Sequence, residues 1–148
     1  MEELFRKMVA KLKVAFNDLQ VLHHYVTGNS FFGVHEAVGE LYDKVGDMID
    51  DLVEIGMSVG IHEIGIKDSV LMFEPLPIIG RDCNETARSV IAVCEGIIAV
   101  MDECKDSVLY SDIANKIEEY QYYLRKEANY KFAMLLVPTM AEETIANA

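Results

Sequence analysis

The sequence predicts an all-α protein, a four-helix bundle formed as one domain over residues 1–148. Three observations lead to this prediction. A chain of 148 residues that is 51% hydrophobic can bury one substantial core. Its prolines fall at positions 75, 77 and 138 only, which leaves two long tracts free of helix breakers. Within both tracts, apolar residues recur at steps of three and four, as on one face of a helix.

The first tract predicts a helical hairpin. Its first helix carries an apolar stripe that stops at the turn sequence Thr-Gly-Asn-Ser of residues 27–30, and the second helix begins near Phe31 and ends near Gly60. The first stripe consists of Leu4, Met8, Leu12, Phe16, Leu19 and His23. The second consists of His35, Val38, Tyr42, Val45, Ile49 and Leu52.

A long crossover is predicted between the second and third helices. Residues 61–80 are mixed in character, with a short helix predicted over 66–73 and an extended segment at Glu74-Pro75-Leu76-Pro77. A connection of this length lets the second hairpin return along the bundle.

The second tract predicts another helical hairpin. Asp82 followed by Glu85 resembles a capping box that opens the third helix, and Ser111 or Asp112 is expected to cap the fourth. Pro138 is expected to end the fourth helix before an acidic tail. The third stripe is Val90, Cys94, Ile97, Met101, Cys104 and Val108; the fourth is Ile113, Ile117, Tyr120, Leu124, Phe132 and Leu135; the tail contains Glu142 and Glu143.

Charge and composition exclude several classes of protein. Thirteen basic against twenty-five acidic residues give a net charge of −12, which favours cations over a nucleic-acid backbone as ligands. The charged N-terminus does not resemble a secretion signal, and the apolar stretch of residues 89–101 is too short to span a membrane. Three cysteines without C-x-x-C spacing predict reduced thiols, so we expect a cytoplasmic protein.

Two histidines and two carboxylates are the candidate ligands of a metal site. His23 and His35 lie almost symmetrically about the turn, so an antiparallel hairpin brings them side by side. Asp50 and Glu54 belong to an acidic stripe on the second helix that begins with Asp43 and Asp47. Asp43 and Asp47 are interpreted as a solvated face or an ion-uptake and nucleation surface.

These four residues cannot form one site within a single chain. His35 and Asp50 are fifteen positions apart on one helix, a distance of about 22 Å at 1.5 Å per residue. If two copies of this helix pack antiparallel about a two-fold axis near Asp43, the histidines of one chain meet Asp50 and Glu54 of the other. Imidazole and carboxylate together suit iron, zinc or manganese.

The segment HHYVTGNSFFGVHE, residues 23–36, followed by Asp50 and Glu54, resembles the Dps-type mini-ferritins of the ferritin-like superfamily. The spacing H-x11-H-x14-D-x3-E is similar to the ferroxidase signature of that family. By this resemblance His23 and His35 of one subunit and Asp50 and Glu54 of its two-fold mate are catalytic and metal-binding residues. The likeness is strongest over residues 19–60.

The resemblance implies an oxidoreductase active in oxidative stress. It would bind Fe(II) at a mono-iron or di-iron site, oxidise it preferably with hydrogen peroxide, and store ferric mineral in a dodecameric shell. Zinc or manganese could occupy the same ligands.

Two positions depart from the family pattern. His24 stands where the family usually has tryptophan, and Gly39 stands where it usually has aspartate. Losing that carboxylate is expected to lower metal affinity, and His24 is an alternative ligand. The alternative function is therefore a noncatalytic ferritin-like assembly or metal-binding protein.

Other functions fit the sequence less well. No histidine is preceded three residues earlier by glutamate, so an ordinary di-iron carboxylate site is disfavoured, and the zinc-protease motif HExxH is absent. His62 lies outside the signature and is interpreted as a surface or packing residue. Because neither predicted terminus carries a basic extension, we expect no strong nucleic-acid binding.

Overall fold

The computed structural model describes residues 1–136 and confirms an all-α, four-helix bundle. Helices α1 (Glu2–Tyr25) and α2 (Phe31–Ser58) form the first hairpin, and α1 also packs against α4 (Cys83–Lys105). The fourth helix begins as α5 (Ser111–Lys126), continues through a π-helical segment (Glu127–Phe132) and ends as α6 (Ala133–Leu135). Among the residues described, no helix is both long and apolar enough to cross a lipid bilayer.

Half of the stripe predicted for α2 lies in the core, and the other half lies at its border. Val38, Val45 and Leu52 are fully buried as expected, whereas His35, Tyr42 and Ile49 are half-buried. Their places in the core are taken by Val34, Leu41 and Met48. His35, Tyr42 and Ile49 therefore follow the edge of the core, and His35 remains within reach of solvent.

Three glycines of α2 set its register against α1. A Cβ atom at Gly39 would lie 2.9 Å from His23 Cε1, one at Gly46 would lie 3.2 Å from Phe16 Cε2, and one at Gly56 would lie 2.8 Å from Phe5 Cε1. Each ring thus occupies the space that a side chain on α2 would fill. The two helices are antiparallel, so the three contacts belong to a single alignment of α1 and α2. Phe5 and Gly56 meet at the open end of the hairpin, and His23 and Gly39 meet near its turn.

The turn between α1 and α2 contains a short strand that the sequence did not reveal. Strand β1 (Val26–Thr27) pairs in parallel with β2 (Arg81–Asp82), directly before α4. Gly28, with φ of 119°, then reverses the chain in a conformation that residues with side chains rarely adopt. The strand pair joins the turn of the first hairpin to the start of the second.

The crossover carries the predicted short helix, α3 (Ile66–Met72). Beyond it, the Leu76 N–H donates a hydrogen bond of 2.8 Å to the Asp18 carboxylate on α1. The predicted cap at Asp82 is confirmed, because its carboxylate accepts a hydrogen bond of 2.7 Å from the Glu85 N–H. The part of the crossover that follows α3 is thus held by two carboxylates.

Two boundaries of the second hairpin differ from the prediction. Helix α4 ends at Lys105, so Val108 lies in the loop. Helix α5 begins at Ser111, and its N-cap residue is Tyr110, without a side-chain cap; Asp112 instead accepts a hydrogen bond of 3.0 Å from the Ile113 N–H. The predicted helix end at Pro138 and the acidic tail with Glu142 and Glu143 lie outside the described residues.

Candidate metal site

His23 and His35 lie side by side, as the hairpin predicted. Their rings stack with centroids 3.7 Å apart and planes inclined by 15°. His23 Nδ1 lies 2.6 Å from the His35 carbonyl oxygen, and His35 Nδ1 lies 2.7 Å from the His23 carbonyl oxygen. A carbonyl oxygen can only accept, so each Nδ1 carries the proton and each Nε2 keeps its lone pair. On both imidazoles, Nε2 is therefore the nitrogen that the hairpin hydrogen bonds leave unused.

Aromatic rings enclose this pair on two sides. Phe31 stacks on the outer face of His35 at 4.8 Å, and the edge of Tyr42 approaches His23 at 5.2 Å. Burial lowers the pKa of His23, opposed by its hydrogen bond to the His35 carbonyl and by the negative charge of Asp43. The loss of solvation therefore favours the neutral imidazole, which is the form that binds a cation.

Asp50 and Glu54 lie near the other end of α2, and both are exposed. The continuous helix separates His35 from Asp50 by about 22 Å along its axis. Across residues 1–136, no group of three or more histidine, cysteine, aspartate or glutamate side chains is arranged to hold a metal ion. One chain thus carries an imidazole pair and a separate carboxylate pair.

An acidic surface depression lies on α2 between these two pairs. It has a volume of about 430 Å³ and is lined by Phe16, Asp43, Gly46, Asp47, Ile49 and Asp50. In the part of the chain that the structure describes, no basic side chain forms an ion pair with Asp43, Asp47, Asp50 or Glu54. The neighbouring Asp51 differs, because it lies 3.9 Å from Lys116 and accepts a hydrogen bond from Tyr120. The depression therefore has an uncompensated negative charge.

Two further histidines are outside the pair. His24 is exposed, with its ring centroid 5.4 Å from that of His23, and His62 is exposed beyond the end of α2. Position 39, where the family resemblance predicts a carboxylate, is a notch filled by the His23 ring. Sequence reasoning noted the glycine but missed the close contact, which depends on the register of α1 against α2.

Comparison with known proteins gives one relative matched over most of its length. General stress protein 20U of Bacillus subtilis is 30% identical over 113 residues, which are 75% of this chain and 74% of that protein. A DNA protection during starvation protein of Helicobacter pylori is 36% identical over 62 residues, 42% of this chain and 43% of that protein. The chain matches no model of a protein family.

The fold is shared with solved structures of Dps proteins. A Dps protein from Bacillus brevis superposes with a TM-score of 0.81 at 24% identity, covering 90% of this chain and 93% of that one. Dps92 from Deinococcus radiodurans superposes with a TM-score of 0.83 at 17% identity, covering 95% and 87% of the two chains. These likenesses extend over both hairpins and the crossover.

Proposed function

Because the chain belongs to the Dps family of ferritin-like proteins, we propose that it is a ferroxidase that stores iron. Its site would combine His23 and His35 with Asp50 and Glu54 of the partner subunit. Fe(II) is the substrate, hydrogen peroxide the preferred oxidant, and a hollow dodecamer the container for the ferric product.

The observation that best supports this proposal is the reciprocal hydrogen bonding of the two histidines. Each ring is held by its Nδ1, so that Nε2 of His23 and of His35 are free for a cation before any cation arrives. Such outer hydrogen bonds to ligating histidines are typical of metal sites, where they fix the tautomer and raise affinity. The two ring orientations are thus fixed in the absence of a metal ion.

The partner subunit completes the ligand set. Two α2 helices packed antiparallel would bring the histidine end of one against the carboxylate end of the other, giving two equivalent sites in each dimer. Imidazole nitrogen and carboxylate oxygen are donors that iron accepts, and zinc or manganese would compete for the same donors. Repulsion along the acidic face of α2 also favours an arrangement in which cations lie between the subunits.

The reaction needs few groups from the protein. Two Fe(II) ions would each lose one electron, one hydrogen peroxide molecule would take up both electrons and two protons to give two water molecules, and the protons released as ferric iron hydrolyses would pass to solvent. His23, His35, Asp50 and Glu54 would position the ions. The net charge of −12 favours uptake of Fe(II) and opposes binding of nucleic acid, so we propose an iron-handling role in the cytoplasm rather than strong DNA binding.

Stopped-flow absorbance tests the activity directly. Metal-free protein is mixed with Fe(II) and then with peroxide or oxygen, and the ferric-oxo absorbance is followed. The comparison includes Asp50→Asn and, as a control, Glu74→Gln, an exposed carboxylate in the crossover. We expect peroxide-favoured oxidation that Asp50→Asn abolishes and Glu74→Gln retains. Rates equal to protein-free buffer would instead support the noncatalytic assembly or metal-binding function.

Subunit mixing tests whether the site is shared. His35→Ala and Asp50→Asn proteins are each expected to be inactive alone. A hybrid dimer has one site with the intact histidines of the second variant and the intact Asp50 of the first. Activity should therefore return after subunit exchange, which native mass spectrometry can verify. Absence of rescue after proven exchange would exclude the shared site.

A further inference from the structure

We propose that a cavity beside the π-helical segment is a binding site for hydrogen phosphate, an oxyanion that keeps a proton at neutral pH. The site is separate from the proposed ferroxidase ligands and does not depend on them. Its residues belong to the fourth helix, where a buried carboxylate and two lysines line one small cavity.

The cavity lies where the fourth helix changes from α-helical to π-helical geometry. It has a volume of about 180 Å³ and is lined by Tyr123, Lys126, Glu127, Tyr130 and Lys131. The π-helical segment begins at Glu127 and contains neither proline nor glycine. Single π-helical turns inside α-helices are rare, and they are frequent at functional sites. The cavity therefore coincides with the irregular part of this helix.

Glu127 supplies a buried hydrogen-bond acceptor that lacks a donor. The residue is only 7% exposed, and its Oε2 atom is shielded from solvent with no hydrogen-bond partner among the described residues. Lys131 Nζ lies 3.7 Å from Oε1, a distance that suits an ion pair but is too long for a hydrogen bond. Rotation about the last side-chain bond exchanges the two oxygens, so either one can accept. Because an unpaired buried acceptor is costly, a ligand that donates a hydrogen bond to Glu127 is favoured.

Positive charge is in excess around this carboxylate. Lys126 and Lys131 line the cavity, and Lys44 lies nearby, with its ammonium group 5.3 Å from the centre of a tyrosine ring in the lining. The acidic side chains here are Glu127 and Glu40, whose carboxylate lies 3.0 Å from Lys131. Three positive charges thus face two negative ones, on a chain whose net charge is −12. The cavity therefore favours an anion over a cation.

The remaining lining groups are hydrogen-bond donors. Burial, and then the negative charge of Glu127, raise the pKa of Tyr123, so its phenol keeps a proton that it can donate. Lys126 is exposed and, within residues 1–136, forms no ion pair. Lysine ammonium groups can only donate, whereas the Glu127 carboxylate can only accept. The cavity thus combines several donors with one acceptor.

Hydrogen phosphate satisfies both kinds of group. Its anionic oxygens accept from the lysine ammonium groups and the tyrosine hydroxyls, and its own hydroxyl donates to Glu127. Sulfate has the same tetrahedral shape and, at pH 8, the same charge, but it carries no proton. Against the Glu127 carboxylate, sulfate would place one acceptor oxygen next to another. The buried carboxylate therefore selects the oxyanion that keeps a proton.

Calorimetric titration of the metal-free protein at pH 8 and constant ionic strength tests this inference with three dianions. Inorganic phosphate keeps one proton at this pH, whereas sulfate and methyl phosphate, whose second pKa is about 6, keep none. We expect wild-type protein to bind inorganic phosphate at least about tenfold more tightly than either of the others, because only this ion pairs the buried acceptor. The methyl phosphate titration also separates free phosphate from a phosphate monoester as the ligand.

Two variants locate the site. Glu127→Gln replaces the carboxylate with an amide that can donate, so it should strengthen sulfate binding and remove the preference for inorganic phosphate. Lys126→Gln should weaken the binding of inorganic phosphate. The matched controls are Glu74→Gln and Lys67→Gln, which change exposed side chains of the crossover and should bind all three ions as wild type does.

Three results would overturn the inference. They are equal affinity of wild type for the three ions, no phosphate binding at millimolar concentration, and a preference for phosphate that Glu127→Gln retains. Circular dichroism checks the folding of each variant. If Glu127→Gln does not fold, Lys126→Gln decides, because unchanged phosphate affinity in that variant excludes the cavity as the site. None of these measurements depends on iron oxidation, so the proposed function stands or falls separately.

Discussion

The imidazoles of His23 and His35 each donate a hydrogen bond to the backbone carbonyl of the other residue, over 2.6 and 2.7 Å. One histidine is in the last turn of α1 and the other in the first turns of α2, so the bonds cross the hairpin. The carbonyls near the end of α1 lack helical partners, and one of them is satisfied by the His35 ring. The hairpin therefore fixes the orientation of both rings through hydrogen bonds to its own backbone.

The tautomers of these rings are the first prediction. In metal-free protein near neutral pH, both imidazoles should carry their proton on Nδ1, and the His23 pKa should be below 6.5 because burial disfavours its charged form. Nitrogen-15 NMR of the side chains during a pH titration distinguishes the two ring nitrogens. The exposed His62 provides a reference ring in the same spectra. A proton on Nε2 of either paired ring would contradict the arrangement.

The notch at position 39 leads to a second prediction. Gly39→Ala should destabilise the protein by about 1–3 kcal/mol relative to Gly33→Ala, because the added methyl group must displace the His23 ring and its hydrogen bond. Gly33 is the matched control, since it lies in the same helix and a Cβ there meets nothing within 4 Å. Gly33→Ala should itself stabilise by up to about 1 kcal/mol through helix propensity.

Denaturant unfolding measures the difference at one fixed protein concentration, because the proposed assembly would make stability depend on concentration. Because the His23 ring fills the space beside position 39, Gly39→Asp should not improve metal binding, although it introduces the aspartate that the family resemblance leads one to expect. Equal effects of alanine at positions 33 and 39 would show that the His23 ring is not held in the notch.

The helices could be predicted from sequence because each depends on a repeated local pattern. The turn at Gly28, the cap at Asp82 and the juxtaposition of His23 with His35 all follow from short-range spacing. The stripe predicted for α2 was only half correct, since Tyr42 and Ile49 are apolar enough to be interior but lie at the border of the core. Local periodicity cannot distinguish the centre of an apolar face from its edge.

Features that depend on distant parts of the chain could not be predicted. The pairing of Val26 with Arg81 joins segments far apart in sequence, and two residues are too few to form a periodic pattern. The π-helical segment that begins at Glu127 departs from the 3.6-residue period without a proline or glycine to mark it. The fit of His23 into Gly39 likewise requires the register of two helices, which the composition of either one does not determine.

Asp18 provides a third prediction, about the crossover. Its buried carboxylate accepts the Leu76 N–H, so Asp18→Ala should cost about 1–3 kcal/mol by leaving that donor unpaired. Asp18→Asn keeps an acceptor oxygen and removes the buried charge, so it should be at least as stable as wild type at pH 7. Denaturant unfolding of the three proteins at pH 7 provides the comparison, and a large loss in Asp18→Asn would contradict it.

The same residue makes stability depend on pH with a defined sign. Burial raises the pKa of Asp18 above its ordinary value of 3.8, so the folded state holds this proton to a higher pH than the unfolded state does. The contribution of Asp18 to stability therefore falls as pH rises from below 3.8 through the raised pKa. The stability of Asp18→Asn relative to wild type should increase between about pH 4 and pH 7, whereas a constant difference would show an unshifted group.

The last prediction concerns the three cysteines, of which one lies near the surface and two lie in the core. Burial raises the pKa of Cys94 to about 12 and that of Cys104 to about 11, so neither forms the reactive thiolate near pH 8. Cys83 is partly exposed at the start of α4, where its thiol donates to the Thr27 carbonyl oxygen at 3.3 Å. A chromogenic disulfide reagent should therefore modify Cys83 first in the native protein, and the other two only after unfolding. Cys83→Ser is the control and should abolish the native reaction; a rapid native reaction that persists in it would show that the α4 core opens readily.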